Sequence, residues 1–410
     1  MVAVLIVSGC VGALDGDPFA EAGTAPTAAA LAFTEPLQIN RDAQEGFEPS
    51  IRIAPDDTIY VAAARGFVAG SDGSVASPVW CSNDNGLTWT KLASMLGLRE
   101  KVKAVEGDLA VDARGTVYFV DTYAADNVVT VWGSDQTWMS TSPIQGTTGG
   151  DDRPWLAAHG DGVVYYVGNS LAAVPPPGAP SDGAARFWFY RSTDHAASWT
   201  LGTGFVGGDY CHVAASPSDD STVAVVCSPG SFVLPAPTMV QGFTSRDRGN
   251  TWTVHELGTM IDSPDDNFPV VAFSPSGTAY AFWVSNDEPA TLHLSSWTDG
   301  TWVPEDVPRA DGPVANPALA AGPNGSVALG YYGRDGEDWY LNIWARNATG
   351  SPWMRWADPT PVAHLYPPED FFQAAFDTSG HLHVAYQRNA PDELGTPKPS
   401  LQPILYIRQL

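Results

Sequence analysis

The feature that most constrains this chain is a pattern that returns seven times: an acid or Asn, often a Pro, an apolar strand, a turn, and a second strand rich in aromatics. The copies begin at Glu48, Gly107, Asp152, Asp209, Asp266, Asn316 and Asp370. Their spacing of about fifty residues is the length of one four-stranded propeller blade. Between copies there is room for a third strand, a tight turn and a fourth strand. The last copy is followed by one further strand only, at 404–410, while residues 34–40 precede the first copy and can supply the missing one. Such a splice leaves no open sheet edge. The expected fold is all-β: a seven-bladed β-propeller of four-stranded antiparallel blades, closed by its N- and C-terminal strands.

The tight turns carry a second regularity. SNDNGLTW at 82–89 and SRDRGNTW at 245–252 share the spacing S-x-D-x-G-x-T-W, and STDHAASW at 192–199 keeps it with Ala in place of Gly. GSDQTW at 133–138 and TDGTW at 298–302 read as decayed copies. A carboxylate in such a turn accepts backbone N–H groups, Gly supplies positive φ, and the Trp packs between hairpins. Ser82, Asp84, Gly86, Trp89, Ser192, Asp194, Trp199, Ser245, Asp247, Gly249 and Trp252 are therefore structural. The spacing resembles the Asp box, or BNR repeat, of the sialidase superfamily, and the resemblance covers residues 34–410. It implies a propeller and, by analogy, exo-acting glycoside hydrolysis. Where that family carries Arg-Ile-Pro on its first inner strand, this chain reads Phe47-Glu48-Pro49, with Arg52 a few positions later.

Charge narrows the partners. With 46 acids against 20 Lys and Arg the formal net charge is −26, which repels phosphate backbones and argues against nucleic acid. Residues 1–10, MVAVLIVSGC, resemble the signal peptide and lipobox of prokaryotic lipoproteins, although without the basic n-region. The resemblance implies lipidation at Cys10. Residues 11–33 are rich in Gly, Ala, Thr and Pro and read as a flexible linker. Together these describe an extracellular, cell-surface lipoprotein that touches the membrane only through its lipid anchor. Cys211 and Cys227 flank a turn in one hairpin, within reach of a disulfide or as free thiols.

In a propeller the start of strand one and the end of strand two share a face, here called upper, and the S-x-D-x-G-x-T-W turns lie on the other. The long connections after strand two, at 66–78, 171–185, 228–237 and 389–403, belong to the upper face, where binding groups are expected. Acids at the starts of strand one, including Glu48, Glu106, Asp108, Asp152, Asp209, Asp266 and Asp370, are expected to crowd the axial mouth. They suit calcium, which takes several oxygens, or a carboxylate pair for glycoside cleavage with Asp152, Asp266, Asp108 and Glu48 as candidates; the alternative is turn capping. Arg65, Arg334 and Arg388, with Arg153 opposite, form either an arc that grips a carboxylate or sulfate or ordinary ion pairs. Tyr123, Trp283 and Tyr332 either stack on sugars or pack between blades. The expected role is binding of a carbohydrate or protein ligand through the axial face, with exo-glycoside hydrolysis, sialidase-type or by paired carboxylates, as the alternative.

Overall fold

The computed structural model describes residues 31–40, 46–64, 76–93, 106–122, 127–145, 151–170, 185–206, 210–228, 237–261, 268–368, 371–389 and 402–410. Their strands make seven antiparallel sheets. The innermost strands are Phe47–Ile53, Gly107–Val111, Asp151–His159, Tyr210–Ala215, Val270–Phe273, Val314–Ala321 and Gln373–Phe376. They lie side by side in that order, and the first meets the last. The chain is therefore a seven-bladed β-propeller, as the repeat count requires. The sixth blade carries one extra short strand, Ala363–His364, beside Asp338–Arg346.

Closure is made where the sequence predicts it. Leu37–Gln38 becomes the outermost strand of the seventh blade, pairing with Leu405 and Tyr406 of Ile404–Arg408. Asn40 completes the seam: its Nδ2 donates to the Gln402 carbonyl at 2.9 Å, and its Oδ1 accepts from the Ile404 amide at 2.8 Å. Leu31 is already buried against this blade, and Phe33 bridges Gln409.

Burial follows strand position. Each second strand is covered on both faces by neighbouring blades, so Ile59–Ala64, Val223–Ser228 and Ala279–Ser285 are buried throughout and read as continuous apolar runs. An outermost strand such as Thr253–Ile261 is mostly exposed or half-buried and carries His and Glu among its residues. Cys211 and Cys227 face each other across the first hairpin of the fourth blade and form a disulfide, while Cys81 is a buried free thiol.

Three inner strands contain a bulge. Glu48, Arg153 and Asn316 all have positive φ, each precedes a proline, and the strand register shifts at each. A bulge re-aims the bulged residue out of the ladder. Here it turns toward the neighbouring blade: the Glu48 amide donates to Gln387 Oε1 at 2.7 Å and the Arg153 amide to Glu106 Oε2 at 2.8 Å, while Asn316 Nδ2 donates to the Pro368 carbonyl at 2.8 Å.

The lower turns show why their residue types recur. Asp84 Oδ1 accepts from Ser82 Oγ at 2.8 Å and from the Thr88 amide at 2.9 Å, and its Oδ2 accepts from Thr88 Oγ1 at 2.6 Å. Ser82 Oγ in turn accepts from the Gly86 amide at 2.9 Å. The same set of bonds forms around Asp194 and Asp247. The tryptophans then wedge blades together: Trp89 meets Tyr406 of the seventh blade edge-on at 5.1 Å, and Trp252 meets Phe189 of the third at 5.1 Å. A further turn of this shape, unrecognised in the sequence, spans 346–353. It keeps Gly350 at φ 76 and the same closing bond, Ser351 amide to Ala348 carbonyl at 3.1 Å, but has Arg346 and Ala348 in place of Ser and Asp.

Two outcomes follow for the turns. Gly86 has φ +81 and a Cβ there would lie 2.2 Å from the Tyr406 ring, so Gly86→Ala should cost about 2–4 kcal/mol in denaturant unfolding, strain and overpacking adding. The hydrogen bonds from Thr88 and Thr251 hold Asp84 and Asp247 at about 2. Lowered carboxyl values stabilise above the ordinary carboxylate range and lose that contribution as pH falls through the folded value. The melting temperature of wild type should therefore exceed that of Asp84→Asn at pH 5, and the gap should close between pH 4 and pH 2.

Candidate functional site

Aligning the seven inner strands by their pairing exposes a broken symmetry. The residues opposite Tyr60, Tyr118, Tyr165, Ala224, Tyr280, Ala328 and His383 are Arg52, Ala110, Ala157, Ala214, Ala272, Ala320 and Ala375. Six alanines and one arginine thus occupy one level of the ring. All seven line an axial cavity of about 280 Å³. Two residues nearer the upper face, the equivalent level holds Ser50, Asp108, Trp155, His212, Val270, Ala318 and Gln373. A small-residue ring leaves space on the axis, and the Arg52 side chain extends through it toward the polar level above.

Arg52 is held in place by neighbours on both sides. Its Nη1 donates to Gln373 Oε1 and, at 2.8 Å, to the Ile51 carbonyl. Its Nη2 lies 3.3 Å from Asp108 Oδ2. Asp108 is fully buried and also accepts from the Leu156 amide at 3.0 Å and from Gln373 Nε2 at 3.0 Å. Burial pushes the Asp108 carboxyl up, while Arg52 and the Leu156 and Gln373 N–H groups pull the other way. Every group facing it donates, so the site is built around the carboxylate form. The Arg52 side chain itself keeps 26 % exposure. A guanidinium has five N–H donors; Nη1 makes two bonds and Nη2 two, the latter to both Asp108 oxygens, so Nε–H of Arg52 is without a partner among the described residues.

His212 adds a further donor. Its Nδ1 accepts weakly from the Val271 amide at 3.4 Å, which puts the ring proton on Nε2. Burial, and next Arg52, hold its pKa at about 3, so it is neutral at physiological pH. Trp155 stands beside it, ring centroids 4.6 Å apart, and its buried indole N–H has no partner among the described residues. No carboxylate lines this cavity among the described residues. Its wall offers N–H donors and apolar faces, a surface suited to a ligand that brings acceptor oxygens.

The residues singled out from sequence have other positions. Glu48, Glu106 and Asp108 do not crowd an open mouth: each is buried, and they serve the blade-to-blade contacts and the Arg52 clamp. Arg153 pairs with Glu106 at 3.1 Å and lies over the Phe268 ring at 4.8 Å. Arg388 pairs with Asp358 at 3.0 Å, and Arg334 stacks on Trp339 and bonds to the Gly336 carbonyl, so each of these two has a local partner of its own. Trp283 and Tyr332 are buried between blades, Trp283 stacked on His293 and Tyr332 against Phe372, and present no face to a ligand. Cys10, Arg65, Tyr123, Asp209, Asp266 and Asp370 lie outside the described residues, as does the Asp152 side chain. Sequence reasoning passed over Arg52 as a site residue, although six copies carrying Ala where the first carries Arg was a legible signal.

Among the described residues one metal-compatible cluster occurs, away from the upper end of the axial cavity. Ligand atoms of Asp112, Asp161 and His195 lie within 4.8 Å of one another on the lower face between the second and third blades. Asp112 already accepts four hydrogen bonds, from the Arg114, Thr116 and Gly162 amides and the Tyr118 hydroxyl, and the set offers calcium few free oxygens.

No protein-family model matches the chain, and no curated protein matches it. Solved structures do. The alpha-L-arabinofuranosidase of Fusarium graminearum, in complex with arabinobiose, is 14% identical with a TM-score of 0.47, covering 92% of this chain and 97% of its own. An ulvan lyase of a polysaccharide lyase family is 12% identical with a TM-score of 0.48, covering 92% and 94%. A Hadza microbial sialidase is 15% identical with a TM-score of 0.45, covering 82% and 73%.

The clamp makes a sharp energetic expectation. Removing Asp108 leaves the Leu156 and Gln373 N–H groups without their acceptor and Arg52, 26 % exposed, without its counter-charge, so Asp108→Ala should cost about 1–3 kcal/mol in denaturant unfolding. The double variant Arg52→Met, Asp108→Leu should recover most of that loss, because apolar replacement of a whole buried pair is close to neutral. Equal instability of the two variants would show that the fold itself needs the pair.

Proposed function

We propose that the protein is a cell-surface, sialidase-like propeller that binds a carbohydrate bearing a carboxylate or sulfate, with that anion on Arg52 in the axial cavity. The observation that carries the reading is Arg52 itself: one arginine at a level where the six other blades have alanine, fixed by Asp108 and Gln373, yet lining the cavity with 26 % of its side chain exposed and its Nε–H without a partner among the described residues. A guanidinium recognises planar or tetrahedral oxyanions through paired N–H bonds. His212 Nε2 supplies a neutral donor beside it, at little electrostatic cost. The spacing of the lower turns, which resembles the Asp box, is what puts carbohydrate first among carriers of such an anion. Tethering through Cys10 and the linker at 11–33 is part of the same proposal, on the sequence of those residues.

Binding should be read by titration calorimetry of the full chain with D-glucuronate, N-acetylneuraminate and glucose 6-sulfate, with glucose as the neutral control. At least one acid should bind, glucose at least tenfold more weakly, and Arg52→Ala should lose at least tenfold, while its melting curve stays cooperative. Because the chain carries −26, an anion approaches against the overall field, and association should quicken as salt is raised. Equal affinity for glucose and the acids, or an Arg52→Ala variant that binds like wild type, would refute the reading. Fluorogenic glycosides of the same sugars, run alongside, report turnover directly, and steady release would promote the hydrolase alternative.

A further inference from the structure

We infer that the anion reaches Arg52 through the lower face of the propeller, between the turns joining the first and second strands, and that this lower throat sets which ligands fit. The inference rests on the reading that Arg52 binds the anion, and it names the entrance and the residues that gate it.

The upper end of the cavity is crossed by rings from opposite sides of the propeller. Trp155 of the third blade meets Phe371, which leads into the innermost strand of the seventh, with centroids 4.8 Å apart, and His212 of the fourth packs against the same indole. Trp155 and Phe371 are 2 % and 5 % exposed, so these rings are tightly held. Behind them Phe268 is fixed between Tyr210, edge-on at 4.5 Å, and the Arg153 guanidinium.

The lower end is continuous with a second cavity of about 310 Å³. Ile53, Val111, Ala158, Pro217, Ala321 and Phe376 line both. The rim beyond them is rigid. Pro55, Pro217, Pro275 and Pro323 stand in four of the turns around the mouth, and backbone bonds close those turns, as from Asp57 to Ala54 at 2.9 Å and from Gly277 to Ser274 at 2.9 Å. Proline fixes φ, so the opening is preformed. The rim carboxylates are also satisfied: Asp112 by its four donors, and Asp377 by the His381 amide and the His381 and His383 rings. A ligand passing them meets acids whose charge is already shared with donors, then a wall of alanine, then the Arg52 guanidinium with its open Nε–H. A ligand entering by the throat must pass this lining before it reaches Arg52.

The test uses D-glucuronate and the full chain, with association followed by tryptophan fluorescence, since Trp155 borders the site. Ala321→Trp and Ala158→Trp each place a large ring in the throat without touching the Arg52 clamp. Either should slow association at least tenfold, while Phe371→Ala, which opens the upper crossing, should leave the rate of entry from below within twofold. Melting curves identify a throat variant that fails to fold, and the other then decides. If both throat variants bind like wild type while Arg52→Ala does not, entry is from above: the inference falls and the Arg52 reading stands. If Arg52→Ala also binds like wild type, or wild type binds none of the acids, both fall.

Discussion

Everything in this molecule depends on the closure of a ring from seven sheets that are individually open. Without Leu37–Gln38 pairing against Ile404–Arg408, the seventh blade would present an unpaired edge, and the first inner strand would have no fixed neighbour in the last. Closure converts sequence equivalence into spatial proximity. Positions that are about fifty residues apart along the chain come to share one level around the axis, so a single departure from the repeat is presented at the centre of the molecule.

Arg52 is that departure. Alanine at the other six positions keeps the axis from filling with side chains, and the wedge tryptophans with the bulge contacts of Glu48, Arg153 and Asn316 keep the blades from sliding. The clamp around Arg52 is not explained by stability. A buried ion pair is at best weakly stabilising against apolar replacements of equal volume, and a buried donor left without a partner costs about 1–3 kcal/mol. A fold that keeps a fully buried Asp108 and an oriented guanidinium and imidazole beside one cavity holds them in a costly arrangement, which is what the proposed recognition of acceptor oxygens would require.

Much of the architecture was legible because it is written in repetition. Seven copies, their turn residues, the splice of the termini and the facing of Cys211 with Cys227 all follow from spacing and period. The site was less legible, for two physical reasons. Acids at the starts of inner strands look like a ring around a mouth, but bulges at Glu48 and Arg153 swing the chain sideways, and Glu106 and Asp108 are drawn into contacts with the next blade or with Arg52. Aromatics on second strands look like a stacking surface, but Trp283 and Tyr332 sit where sheets cover both faces. Conversely, Arg346 and Ala348 hid a turn that keeps the shape of its relatives while losing the Ser and Asp that mark them.

The proposed anion site in the axial cavity stands or falls with Arg52. The most direct measurement is a crystal of the full chain soaked in bromide, with data collected for anomalous scattering. A bromide peak is expected inside the cavity, within about 3.5 Å of Arg52 Nε and near His212 Nε2. Bromide found only on the outer surface, with the cavity free of anomalous signal, would contradict it.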